Sequence, residues 1–297
     1  MKRNLIKIGI APIAWLNDDM PNLTSHISVN QCLEEINKCG YKGVENCGSF
    51  PKKTFEIKNL LKKFNLKFSG GWYSGSLLSI SVNDEFKKMS NILKVFKDMN
   101  TKNIAFCECT RSIQSKNISL YKKPILKMNE RILFFKKLNE LSQKVYEKFG
   151  VNISYHHHMG TIIQNKNEID MLLSSTSDHV KLLLDTGHLL FANENPLEIY
   201  KLYKDRITHY HFKDVRKKII KNCIKKKYSF RESFLNGAFT VPGDGDYDFS
   251  RLLNYLIKDK YKGWIIVEAE QDPKKYSPYK LSLKGYLYLK KLLNKNK

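Results

Sequence analysis

Four short apolar runs, each closing on an imidazole or a carboxylate, constrain this chain more than any other feature. They are 152–158 (NISYHHH), 181–185 (KLLLD), 207–211 (ITHYH) and 263–268 (GWIIVE). An apolar run of this length fits a strand buried on both faces of a parallel sheet. One polar strand end is commonly a hydrogen-bonded core group; four in succession are hard to explain by packing. Where parallel strands close into a (β/α) barrel, functional groups gather at the carboxyl ends of the strands. Mixed imidazole and carboxylate donors suit Mn²⁺, Co²⁺ or Zn²⁺ better than Ca²⁺ or Mg²⁺. The pattern therefore predicts a metal-dependent enzyme.

The rest of the chain supports a barrel. Further strands are expected over 6–13, 43–47, 67–73 and 103–109. Helical periodicity runs between them, over 29–39, 56–64, 85–99, 129–149, 168–173, 196–203 and 249–257, and closes with 281–293. Strands each followed by a helix predict one α/β domain over 1–297, a (β/α)₈ barrel. An open doubly wound sheet should carry a Gly-rich phosphate loop after an early strand, and no GxGxxG occurs. The spacings from His156 to Asp185 and from Asp185 to His211 each fit one strand–helix unit. The spacing from His211 to Glu268 is about twice as long, which places an insertion between strands 7 and 8. That insertion holds a basic stretch, 213–231, and a turn-rich loop, 239–245 (FTVPGDG), expected near the mouth.

Composition narrows the function classes. No apolar run approaches the roughly 18 residues of a membrane span, and the start of the chain, 1–13, is too short for a leader. A cytoplasmic protein without a membrane partner is expected. The six cysteines show no disulfide framework and read as reduced thiols. Cys107 and Cys109 share a strand face but lack the usual zinc spacing. Lys and Arg total 52 against 29 acids, a net charge of +23. Such a surface binds phosphates at low salt, but its lysines are spread along the whole chain, as on solvated faces, so no specific nucleic-acid partner is expected. A homo-oligomer is allowed by the sequence.

Strand alternation selects the converging side chains: His156 with His158, His209 with His211 and Lys213, Glu268 with Glu270. His156, Asp185, His211 and Glu268 are the expected metal ligands, two neutral imidazoles and two carboxylates around one divalent cation. Such a cation polarises a carbonyl and acidifies the adjacent C–H. That is the chemistry of isomerases, epimerases and dehydratases acting on small polyhydroxy ketones. His188 either meets substrate or belongs to a cap. Lys213 and Glu270 are acid/base candidates or a surface pair. Asn17, Asp18 and Asp19 follow the first strand, as hydroxyl-binding groups or a helix-starting turn. Trp15 and Trp72 are candidate walls for a sugar-like ring or core side chains, and Glu45 and Glu108 bind hydroxyls or salt-bridge within the barrel.

Seven segments carry a family resemblance: 8–21 (IGIAPIAWLNDDMP), 70–75 (GGWYSG), 155–161 (YHHHMGT), 184–192 (LDTGHLLFA), 209–216 (HYHFKDVR), 239–245 (FTVPGDG) and 263–273 (GWIIVEAEQDP). The chain resembles the inosose dehydratases, members of the TIM barrels related to xylose isomerase and endonuclease IV. The resemblance implies removal of water from 2-keto-myo-inositol (scyllo-inosose), giving a trihydroxycyclohexane-dione in inositol catabolism. It also implies Mn²⁺ or Co²⁺, with glutathione as a further cofactor. Many relatives in the wider superfamily carry Glu where this chain has His156. The α-proton then falls to another base, Glu270, His188 or His158, with Lys213 or a histidine as the acid. Residues 45–48 (ENCG) depart from the family's ELG-like pattern.

Two other enzyme readings stand beside this one. A keto-sugar isomerase or epimerase would use the same barrel and metal. An abasic-site endonuclease would need a three-metal cluster, whereas the early strand ends carry Trp15, Glu45, Trp72 and Glu108. A nucleic-acid-binding module without catalysis leaves the four strand-end ligands unexplained.

Overall fold

The structure, a computed structural model, describes residues 6–295. Residues 1–5, part of the start where no leader is expected, and 296–297 lie outside the described residues. Ten strands lie among the described residues: β1 (Ile6–Ile10), β2 (Gly43–Asn46), β3 (Lys67–Gly75), β4 (Asn103–Glu108), β5 (Asn152–His156), β6 (Val180–Asp185), β7 (Ile207–Phe212), β8 (Asp214–Val215), β9 (Phe239–Thr240) and β10 (Gly263–Val267). Eight of them form a closed barrel in the order β1, β10, β7, β6, β5, β4, β3, β2. All neighbours in it are parallel, and β1 pairs with β10 on one side and β2 on the other. The short β8 and β9 form a separate antiparallel ribbon.

Alternation along the strands sorts side chains between the barrel interior and the helical layer. On β7, Tyr210 and Phe212 are buried towards the helices, where they pack on Tyr261 and Phe249. His209 and His211 take the other parity and face the interior. On β5, Tyr155 packs outward on Phe106 and Phe134. Ser154 points inward and its hydroxyl meets that of Thr208 at 2.8 Å, which satisfies this buried polar pair.

Helices form where the apolar period and the caps agree. Ser28 accepts the Gln31 N–H at the start of Val29–Cys39, and Gly40 ends that helix at φ 100°. Its Cys32, Leu33, Ile36 and Cys39 are buried. Asn165 and Glu168 make a reciprocal capping box at the start of Lys166–Ser174. No helix among the described residues is long and apolar enough to cross a membrane. All six cysteines are free thiols.

The insertion between β7 and β10 builds a second small core beside the mouth. Helices Lys217–Lys225 and Phe230–Leu235 bring Ile220, Cys223, Phe230 and Phe234 against Phe191, Val215 and Phe239. Its lysines at 217, 218, 221 and 225–227 are exposed, so most of the basic stretch is a solvated face. Lys213 is the exception: it is wholly buried. Asp214 fastens the insertion, accepting N–H bonds from Val215, Gly243, Gly245 and Tyr247.

Candidate metal centre and active-site cavity

The four expected ligands converge at the carboxyl ends of β5, β6, β7 and β10. His156, Asp185, His211 and Glu268 are all buried, each with a donor atom within 4.8 Å of the others. Asp185 Oδ2 lies 3.6 Å from His156 Nε2 and 3.7 Å from His211 Nδ1. Glu268 Oε2 contacts His211 Nδ1 from the other side. Asp185 does two tasks. Its Oδ1 accepts the His188 N–H at 2.9 Å, capping the short helix Thr186–Phe191. Its Oδ2 has no hydrogen-bond partner, and neither does Glu268 Oε2 or His211 Nδ1. Buried carboxylate oxygens are rarely left without a hydrogen bond. Two carboxylate oxygens without a hydrogen bond, Asp185 Oδ2 and Glu268 Oε2, both against His211 Nδ1, fit a divalent cation.

His157 takes the opposite parity to His156 and backs the centre from outside. Its Nε2 accepts the Asp185 N–H at 3.2 Å. Burial drives its pKa down to about 3, so it is a neutral acceptor.

Charges around the centre are tightly paired. Burial acts to raise the Glu268 carboxyl, but Lys213 and His211 outweigh it and hold it at about 2. Asp185 is likewise buried, yet Lys213 and His188 keep it well below the usual carboxylate range. Burial opposes the charge on His211, and Glu268 and Glu45 overcome that penalty and raise its pKa. Glu45 reaches across from β2: its Oε1 is 2.7 Å from His209 Nε2 and its Oε2 3.2 Å from His211 Nε2. A carboxylate behind a ligating imidazole fixes the ring's orientation.

Above the quartet lies a cavity of about 460 Å³ lined by Asp18, Asp19, Glu45, Trp72, Gln114, His158, His211, Glu268 and Glu270, among others. Its size suits a small polyol. Trp72 stands edge-on to His156 and His158, at ring distances of 5.2 and 5.8 Å. His158 Nε2 is 3.9 Å from Glu270 Oε1. Phe230 of the insertion packs on His158 at 4.9 Å, so the seventh loop shields this side of the site. Asp19 faces His158 and Glu270. Burial raises its carboxyl pKa and Glu270 adds to the rise, while His158 and Gln114 draw it back.

Several expected residues sit elsewhere. Trp15 forms no wall of the cavity. The turn Pro12–Ala14 carries it away from the mouth, and its buried indole donates to Glu35 Oε2 at 2.6 Å. Asn17 builds a turn instead of reaching the cavity, its Oδ1 accepting the Met20 N–H at 2.7 Å. Glu108 ties two loops, accepting N–H bonds from Thr110 and Leu78. Lys213 and Glu270 are not a surface pair: both are buried, with Nζ 2.7 Å from Glu270 Oε2. Lys213 and His188 lie behind the cavity wall, whereas His158, Glu270, Glu45, Trp72 and Asp18 line it. Sequence reading missed Gln114, from the loop after β4, and gave Asn46 and Cys47, at the end of β2, no role beyond their departure from the family pattern.

Comparison with known proteins agrees with the barrel fold. The model of the xylose isomerase-like TIM barrel family matches residues 33–292. An inosose dehydratase of Clostridium tetani is 39% identical over 290 residues, 97% of either chain. The chain belongs to the inosose dehydratase family. A rhizopine catabolism protein, MocC, of Rhizobium meliloti is 36% identical over 95% of this chain and 86% of its own. Among solved structures, the probable 3-DHS dehydratase AsbF from Bacillus anthracis superposes with a TM-score of 0.70 at 13% identity, over 96% of this chain and 98% of that one. That likeness is one of fold. The inosose dehydratase relatives extend over nearly the whole barrel, insertion included.

Proposed function

We propose that this chain is a metal-dependent dehydratase that removes one water from scyllo-inosose to give a trihydroxycyclohexane-1,2-dione. The observation that carries the reading is the buried quartet His156, Asp185, His211 and Glu268, with orphaned acceptors facing one point beneath a polyol-sized cavity. Membership of the inosose dehydratase family supports the substrate and the reaction. A divalent cation, Mn²⁺ or Co²⁺ as the family resemblance implies, would supply Lewis-acid polarisation of the substrate ketone.

The chain's own groups do the rest. Trp72 offers a ring edge to one face of the substrate, and Asp18, Asp19 and Glu45 are placed to accept its hydroxyl protons. His158 and Glu270 both face the cavity and are the acid/base pair in this reading. One removes the proton on the carbon next to the ketone, and the other delivers a proton to the departing β-hydroxyl. The C–H and C–O bonds break, water leaves, and the enol that remains tautomerises to the dione. His188 and Lys213, both behind the wall, hold Glu268 and Glu270 in place. Free thiols throughout suit the reducing cytoplasm.

Mass spectrometry of the product from purified protein and scyllo-inosose tests the proposal. A product lighter by one water, formed only with Mn²⁺ or Co²⁺, supports it. A product of unchanged mass makes the chain an isomerase or epimerase. The same assay with added glutathione shows whether the thiol implied by the family resemblance raises the rate.

A further inference from the structure

Lys213 is held by three consecutive residues after β6. The Thr186 hydroxyl donates to the Lys213 carbonyl at 2.7 Å and accepts its N–H at 2.9 Å. The lysine stem then passes over Gly187, where a Cβ would lie only 2.5 Å from Lys213 Cγ. His188 Nε2 meets the amine at 3.0 Å. Around Nζ stand Glu270 Oε2 at 2.7 Å, Glu268 Oε1 at 3.1 Å and Asp185 Oδ2 at 3.4 Å. The Phe239 ring closes another side, 5.3 Å away.

One nitrogen and three carboxylate oxygens around a point charge form the kind of donor set a divalent ion takes. Glu268 turns Oε2 to the quartet and Oε1 to Lys213, as a carboxylate does between two cations. A second observation leads to the same place. His158, His188 and Glu270, all buried, offer donor atoms within 4.8 Å of one another. Two of these three already hold the lysine. The three carboxylates at Nζ, Asp185, Glu268 and Glu270, match in number the charge of one divalent ion plus one ammonium, and Glu45 stands apart from them against His209 and His211. A second divalent ion beside the lysine would leave an uncompensated buried excess.

We propose that the Lys213 ammonium stands in the place of a second metal ion, so that this barrel holds one divalent cation and one tethered charge. The inference rests on the metal reading of the quartet. A second metal would bring its own water with a lowered pKa, a hydrolytic nucleophile. An ammonium brings none, and still fixes Glu268 and Glu270. The residues Thr186, Gly187 and His188 are then the receptor for that charge.

Metal counting tests this. Protein stripped with a chelator is saturated with Mn²⁺ and desalted. Its Mn content is measured by mass spectrometry and its Mn²⁺ coupling by electron paramagnetic resonance. The wild type takes one Mn²⁺ per chain with the spectrum of an isolated ion. Lys213→Ser, purified with Mn²⁺ present, takes two and shows an exchange-coupled spectrum. Lys213→Met retains the stem, whose terminal methyl crowds the vacated position, and takes one. Two ions in the wild type, or one in folded Lys213→Ser, overturns the inference while leaving the quartet intact. Lys213→Ser that fails to fold even with Mn²⁺, while Lys213→Met folds, also overturns it, because a second ion should replace the missing charge. No Mn²⁺ in the wild type overturns it too, and traces the failure to the metal reading itself.

Discussion

Glu45 Oε2 lies 3.2 Å from His211 Nε2, so a carboxylate from β2 steadies an imidazole from β7 across the barrel mouth. The other ring nitrogen of His211 is thereby left facing Asp185 and Glu268. Removing such a partner commonly costs about 10- to 100-fold in metal affinity. Glu45→Gln should therefore weaken Mn²⁺ binding by about that factor, with the fold unchanged. Titration of stripped protein checks it; unchanged affinity would remove Glu45 from the centre.

The same residue sets a pH dependence. Burial alone would raise the Glu45 carboxyl, but His211 and His209 outweigh it and hold its pKa far below the ordinary 4.5. The unfolded chain then binds the proton before the folded one does. The stabilisation is fully present above pH 4.5 and is lost as pH falls through the folded pKa. Melting temperatures of the stripped protein should drop on acidification below that point, and Glu45→Gln should flatten the drop.

His158 and Glu270 face the cavity without belonging to the quartet. His158→Gln and Glu270→Gln should each lower kcat by about a hundredfold or more while the bound Mn²⁺ stays near the wild-type amount. Steady-state rates and metal analysis on the same preparation separate this from loss of the ion.

Gly187 has no room for a methyl group, since a Cβ would meet the Lys213 stem at 2.5 Å. Overpacking a buried position typically costs about 1–3 kcal/mol. Gly187→Ala should lose stability in that range by denaturant unfolding, and should also displace the lysine amine from Glu270. A neutral substitution would mean the stem can shift freely.

Trp15 is buried against Glu35 on the outer side of the mouth. Trp15→Phe should cost about 1 kcal/mol for the lost hydrogen bond and leave kcat/KM at its wild-type value. Trp72→Ala, by contrast, should raise KM, because Trp72 lines the cavity. Equal effects of the two substitutions on KM would return Trp15 to the site.

The barrel and the convergence of the four strand-end side chains were readable because strand parity and apolar runs are local properties, and an imidazole or carboxylate at each strand end is a repeated signal. The same parity placed His158 with His156 and Glu270 with Glu268. For Trp15 and Asn17 the second of the two readings holds, core side chain and turn. The strand expected over 6–13 ends at Ile10, and beyond it the turn Pro12–Ala14 sets the side-chain directions. Glu108, the last residue of β4, turns to loop N–H groups. The helix Thr186–Phe191 is too short to show a period, so the cap by Asp185 was legible only as an alternative. Burial of Lys213 within a lysine-rich stretch could not be read from composition, because it depends on Thr186 and Gly187 of another strand's loop. Gln114 and Cys47 reach the cavity by loop packing alone.

The account is tested most directly by restoring Mn²⁺ to metal-stripped wild type and to Asp185→Asn side by side. The readout is the dione product from scyllo-inosose, followed by mass and ultraviolet absorbance. The account predicts that the wild type regains loss of one water and that Asp185→Asn stays inactive, with little bound Mn²⁺. Full dehydration by Asp185→Asn, or by wild type that stays free of metal, would contradict it.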